Sequence, residues 1–126
     1  HLTGLGALRM STEGIIDLLR QERPDVAIVL TGSPALRSSP RFPQPLRWIV
    51  GLREDAANRV LRAAAAEKQV HFAPIADETG PLFRDDHTLF AEDDFHPNAR
   101  GYATWLPTLR TAFAAVLPSD RLRGRQ

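Results

Sequence analysis

The order of elements along this chain predicts an α/β fold, and three observations carry that prediction. Val26-Ala27-Ile28-Val29-Leu30 is continuously apolar and rich in β-branched residues, the pattern of a strand covered on both faces in a parallel sheet. Val70-His71-Phe72-Ala73-Pro74-Ile75 reads as a second, shorter strand. Between them Leu46, Ile49, Val50, Val60 and Leu61 support a long helix reaching Lys68, and strand, crossover helix, strand is the right-handed parallel unit.

The remaining elements follow in order. Ahead of the first strand, Met10, Ile15, Ile16, Leu18 and Leu19 fall on a helical face, with Ser11 as the expected N-cap and Pro24 as the stop. Gly32-Ser33-Pro34 terminates the strand. Prolines 34, 40, 43 and 45 then impose an ordered, non-helical connection before the long helix, in which Gly51 offers a bend. After Ile75 a loop carries the chain past Asp93 and His96. Tyr102, Trp105, Leu106, Leu109, Phe113, Val116 and Leu117 then recur at helical spacing, a closing helix whose aromatic stripe reads as core docked on the sheet. Pro107 lies inside that pattern and predicts a kink or break near Ala103, because proline lacks the N–H that would bond one turn back. One domain is expected over residues 1–120, with 121–126 as a loose tail.

Composition bounds the function. At 43% hydrophobic and 25% charged residues in 126, the chain has the make-up of one globular domain or most of one. A net charge of +1, from 16 basic and 15 acidic residues, provides no general field to attract nucleic acid or anionic lipid. The basic cluster Arg121, Arg123 and Arg125 has no interleaved aromatics, so no nucleic acid partner is expected. No apolar run approaches the roughly 18 residues of a membrane span. The absence of cysteine excludes disulfides, thiolate catalysis and cysteine zinc sites.

The chemistry concentrates in Asp93-Asp94-Phe95-His96-Pro97-Asn98-Ala99-Arg100-Gly101-Tyr102. An imidazole that takes a proton from a hydroxyl and returns it to a leaving group needs a second group to fix its tautomer and stabilise its charged form. Asp93, three residues before His96, can do this on a single tight turn. In open parallel sheets the reactive crevice lies beyond the carboxyl ends of the strands, where this loop is expected. A closing helix starting just after His96 would point the positive end of its dipole at the ring, and Asp93 would offset that charge. The bland alternative is a pair of solvated loop carboxylates, with His96 beside a helix N-cap and Pro97 at the first helical position.

Two other readings compete. Ser33 follows a strand and precedes Asp93 and His96, the order of α/β-hydrolase triads, but Pro34 and a Pro-rich loop replace the Gly-x-Ser-x-Gly elbow. Asp85, Asp86, His87, Asp93, Asp94 and His96 bring four carboxylates and two imidazoles close in sequence, without a recognisable metal-ligand spacing.

The longer string, with Gly101-Tyr102 and Trp105 behind it, resembles the last block of the SGNH/GDSL hydrolase family, a terminal Asp-x-x-His-Pro. The resemblance extends over most of the chain: a helix ending in Arg23-Pro24-Asp25, the apolar strand running into Thr31-Gly32-Ser33-Pro34, the Pro-rich Phe42-Pro43-Gln44-Pro45-Leu46, and a long Ala-rich helix. It implies a three-layer α/β/α sandwich with a parallel, flavodoxin-like sheet, and a serine esterase or lipase acting through an acyl-enzyme without a cofactor. On this match His96 is the general base and acid and Asp93 its partner, while Asp94 stands where glycine is usual. The family's Gly-Asp-Ser and Gly-x-Asn-Asp turns do not occur here. His1-Leu2-Thr3 is similar to the sequence that follows the second of these in relatives, so the resemblance implies the C-terminal part of a longer hydrolase. Its partners would be a small-molecule or lipid ester substrate and the missing N-terminal part of the same domain. Two strands are also too few for a doubly covered sheet of about five. A non-catalytic module that has kept the fold and lost the nucleophile is the competing class.

Overall fold

The computed structural model describes residues 2–118; the expected tail at 121–126 lies outside them. Helix α1 (Leu2–Glu22) leads into strand β1 (Val29–Thr31), helix α2 (Leu46–Lys68), strand β2 (His71–Ala73), and helices α3 (Ile75–Asp85), α4 (Ala99–Ala103) and α5 (Leu106–Val116). Short 3-10 turns occupy Leu36–Ser38 and His87–Leu89. β1 and β2 pair in parallel, with Val29 opposite His71, Leu30 opposite Phe72 and Thr31 opposite Ala73. The chain is therefore α/β, mostly helical around a two-stranded parallel sheet.

The crossover unit forms as its sequence dictates. α2 runs from Leu46 to Lys68 without interruption and ends at Gln69, whose left-handed backbone (φ 54°) lets the Val70 N–H return to the Ala65 carbonyl at 2.9 Å. Gly51 lies within the continuous helix and is buried; a Cβ there would sit 3.1 Å from the Arg37 guanidinium. Ala64 and Ala65 are buried, and α2 packs against both α1 and β2. Arg62 lies over the Phe72 ring, 4.5 Å from its centroid, and pairs with Asp77 on α3.

Four expectations are corrected. Ser11 is not an N-cap: α1 begins near Leu2 and carries Ser11 exposed in its interior. The strands are shorter than their apolar runs, because strand length is set by pairing and only three residues of each find a partner. Ile75 does not end a strand and lead into a loop; it opens α3, which buries Ile75, Thr79, Gly80 and Phe83 at helical spacing with Pro81 inside it. The closing helix is two helices. α4 stops at Ala103, the position the Pro107 argument selects, and Pro107 then lies in the first turn of α5, where its missing N–H needs no acceptor.

That break resets the helical phase, so the predicted stripe does not form one buried face. α5 buries Thr108 and Ala112, while Tyr102, Leu106 and Phe113 remain exposed. The compact hydrophobic core is Phe83, Leu89 and Phe90, with Trp105 packed beside it. Of the apolar residues predicted on the first helix only Ile16 is buried; Met10 is 75% and Ile15 61% exposed. Among the described residues no helix is long and apolar enough to cross a membrane.

Candidate active site

The segment after α3 is folded by its own polar side chains. Asp86 accepts from the Thr88 N–H at 3.0 Å and the Thr88 hydroxyl at 2.5 Å, which closes the 3-10 turn and holds the Asp86 carboxyl below its usual range. Phe90 then meets Pro97 in an isolated antiparallel bridge. Between these two the chain closes on itself: the Ala91 N–H donates to the His96 carbonyl at 2.7 Å, and the Asp94 N–H to the Ala91 carbonyl at 3.0 Å.

Asn98 fastens the base of this turn. Its Oδ1 accepts from the Gly101 N–H at 3.0 Å, capping α4, and its Nδ2 donates to the carbonyls of Thr88 at 2.7 Å and Phe90 at 3.0 Å. Its own N–H bonds the Leu89 carbonyl at 2.9 Å. Gly101 permits the approach, since a Cβ there would lie 2.3 Å from the Leu89 carbonyl oxygen. Pro97 thus stands outside the helix and Asn98, not His96 or its neighbour, is the cap. α4 is five residues long, and its first-turn N–H is already satisfied by Asn98, so the helix-dipole expectation gives way to a local cap.

At the apex, the Asp93 carboxylate binds in both directions. Oδ2 lies 2.5 Å from His96 Nδ1, and Oδ1 accepts the backbone N–H groups of Phe95 at 3.0 Å and His96 at 2.9 Å. The hydrogen bond from the His96 ring, followed by these backbone donors, holds the Asp93 carboxyl well below the usual carboxylate range. An ionised carboxylate can only accept, so Nδ1 is the donor in this contact. The His96 side chain is 63% exposed and turned outward, with the Phe95 ring edge-on at a centroid distance of 4.9 Å.

The turn is also held from a distance. Buried Ser39 donates its hydroxyl to the Asp94 carbonyl at 2.5 Å, Arg41 reaches the Asp93 carbonyl at 3.4 Å, and Phe42 packs edge-on against Phe95 at 5.9 Å. Sequence reasoning gave none of these three residues a role at the turn: Ser39 and Arg41 were passed over, and Phe42 entered only as part of the Pro-rich connection. The one signal in the sequence was Asp94 standing where glycine is usual, and its backbone is left-handed (φ 57°).

The competing readings are not assembled. Ser33 donates to the Pro34 carbonyl at 3.2 Å, its N–H is bound to Asn58 Oδ1 at 2.8 Å, and no hydrogen bond joins it to His96 among the described residues. The acidic residues disperse: Asp85 faces Arg84, Asp86 serves Thr88 with Arg100 at 3.8 Å, and Asp93 serves His96. Among the described residues no three His, Asp or Glu side chains converge as a metal site. Two clefts, about 880 Å³ between α2 and α3 and about 910 Å³ near Arg23 and Val70, include neither Asp93 nor His96. A cavity of about 30 Å³ behind the turn, lined by Phe83, Phe90, Phe95 and Trp105, has room for a water-sized guest. The pair therefore stands on open surface.

A sequence model of the GDSL-like Lipase/Acylhydrolase family matches residues 3–104, most of the chain and all of the turn. No curated protein and no solved structure matches significantly.

Proposed function

The chain belongs to the GDSL-like lipase/acylhydrolase family, and from that premise we propose that it supplies the acid–base half of a serine hydrolase that cleaves carboxylic esters. His96 Nε2 takes the proton of a serine hydroxyl as its oxygen attacks the ester carbonyl. The resulting imidazolium is stabilised by ionised Asp93 and gives the proton to the departing alkoxide, leaving an acyl-enzyme. Water then attacks the acyl group by the same route, with His96 again as base. No cofactor enters these steps. The observation that carries the reading is the 2.5 Å contact between Asp93 Oδ2 and His96 Nδ1 in a residue pattern that matches the family's last block.

The attacking serine and the oxyanion donors, on this proposal, come from a preceding portion of the same domain, which also completes the three-layer sandwich. Two features support it. Among the described residues the sheet has two strands, where a covered parallel sheet has about five. α1 leaves Met10, Ile15, Leu18 and Leu19 exposed, a stripe that a further layer would cover. The test is turnover of a p-nitrophenyl ester by the full-length gene product. His96→Ala and Asp93→Asn should each lower kcat by about 10³-fold or more while leaving the fold intact. Undiminished turnover by either variant removes that residue from the mechanism; no turnover by the unmutated protein on any ester favours a non-catalytic module.

A further inference from the structure

The turn that joins Asp93 to His96 passes through an unfavourable residue. Asp94 has φ 57°, in the left-handed region that side chains with a Cβ enter reluctantly. Asp and Asn reach it most easily when their own side chain bonds the local backbone. Among the described residues the Asp94 carboxylate makes no such bond. Its carbonyl is instead captured by a side chain 55 positions earlier, the Ser39 hydroxyl, at 2.5 Å.

Ser39 is built for this. It is 1% exposed, and its single hydroxyl donates to the Asp94 carbonyl while accepting the Arg41 N–H at 3.2 Å. Arg41 and Phe42 then contact the residues on either side, Asp93 and Phe95. Three neighbours in the segment 39–42 thus meet three consecutive residues of the turn.

The geometry points to Ser39 as a positioning residue for the Asp93–His96 pair, its hydroxyl locking the left-handed Asp94 peptide that lets Asp93 bind ring and backbone at once. Without that bond, rotation at Asp94 to a right-handed or extended conformation turns the Phe95 amide away from Asp93 Oδ1. Asp93 then loses donors and the imidazole loses its fixed orientation. The inference rests on the dyad reading proposed above, but its structural part can be measured without any substrate.

The experiment follows the Asp93 carboxyl by carbon-13 NMR through an acid titration, together with ester turnover of the full-length protein. Ser39→Ala should raise the Asp93 midpoint toward the ordinary carboxylate range and lower kcat by about 10-fold or more, with KM within about two-fold. Asp94→Gly makes the left-handed backbone free of steric cost. Placed in the Ser39→Ala background, it should restore both the low midpoint and much of the lost kcat, a rescue that a merely structural serine would not show. Asp94 is exposed, so Asp94→Val keeps the test available where Ser39→Ala fails to fold; a β-branched residue at this φ should reproduce the rise with Ser39 in place. An unmoved Asp93 midpoint in Ser39→Ala or Asp94→Val overturns the proposal, as does an equal change with and without glycine at 94. A midpoint that moves as expected while His96→Ala retains full turnover leaves the clamp standing and rejects the esterase mechanism.

Discussion

Replacing Asn98 by alanine removes three hydrogen bonds at one stroke. The lost cap on the Gly101 N–H costs about 1 kcal/mol. The two amide donations to the Thr88 and Phe90 carbonyls are each worth about 1 kcal/mol net, somewhat less where water replaces them at this half-buried position. The sum is about 2–3 kcal/mol. At about 4 °C per kcal/mol for a chain of this size, Tm should fall by roughly 8–12 °C. Asn98→Asp is the informative companion, since it keeps an acceptor for the cap and places a negative charge at a helix start while losing both amide donors. It should lose at least as much, because a carboxylate oxygen then faces the two carbonyls that the amide bonded. Thermal and urea unfolding followed by circular dichroism would measure both. A Asn98→Ala variant within about 0.5 kcal/mol of the parent would show that water substitutes fully for this side chain, and that the turn carrying His96 is held by its backbone bonds alone.

Three further outcomes are expected. Because the folded state holds the Asp93 carboxyl below its ordinary value, Asp93 stabilises the fold above the ordinary carboxylate pKa of about 3.9, and this contribution fades as pH falls below it toward the depressed folded value. The urea midpoint of the parent should therefore exceed that of Asp93→Asn by more at pH 7 than at pH 3, and a gap independent of pH would contradict the ionic hydrogen bonds described. Gly101→Ala forces a Cβ against the Leu89 carbonyl and should destabilise by about 1–3 kcal/mol, visible in the same unfolding curves; unchanged stability would mean that α4 shifts freely. Ser33→Ala should leave ester turnover of the full-length protein within about two-fold, whereas a loss of about 100-fold would make Ser33 the nucleophile after all.

Several features decided within a turn or two of chain were readable from the residues alone. Asp93 meets His96 because three residues of a tight turn bring them together; α2 ends at Lys68 because its apolar spacing and Ala-rich tract end there; the last helix breaks at Ala103 because Pro107 withholds a donor. The α/β class is legible for the same reason, since two apolar runs about a helix apart admit few other arrangements. Tertiary structure alone decided what depends on distant partners. It shortened each strand to the three residues that pair, turned the start of the loop expected after Ile75 into α3 packed beside the 35–38 segment, and left most of the α1 stripe uncovered. It also brought Ser39 to Asp94. A hydrogen bond spanning 55 residues leaves no periodic trace in a sequence, because its energy depends on two backbones folded independently and then set against each other.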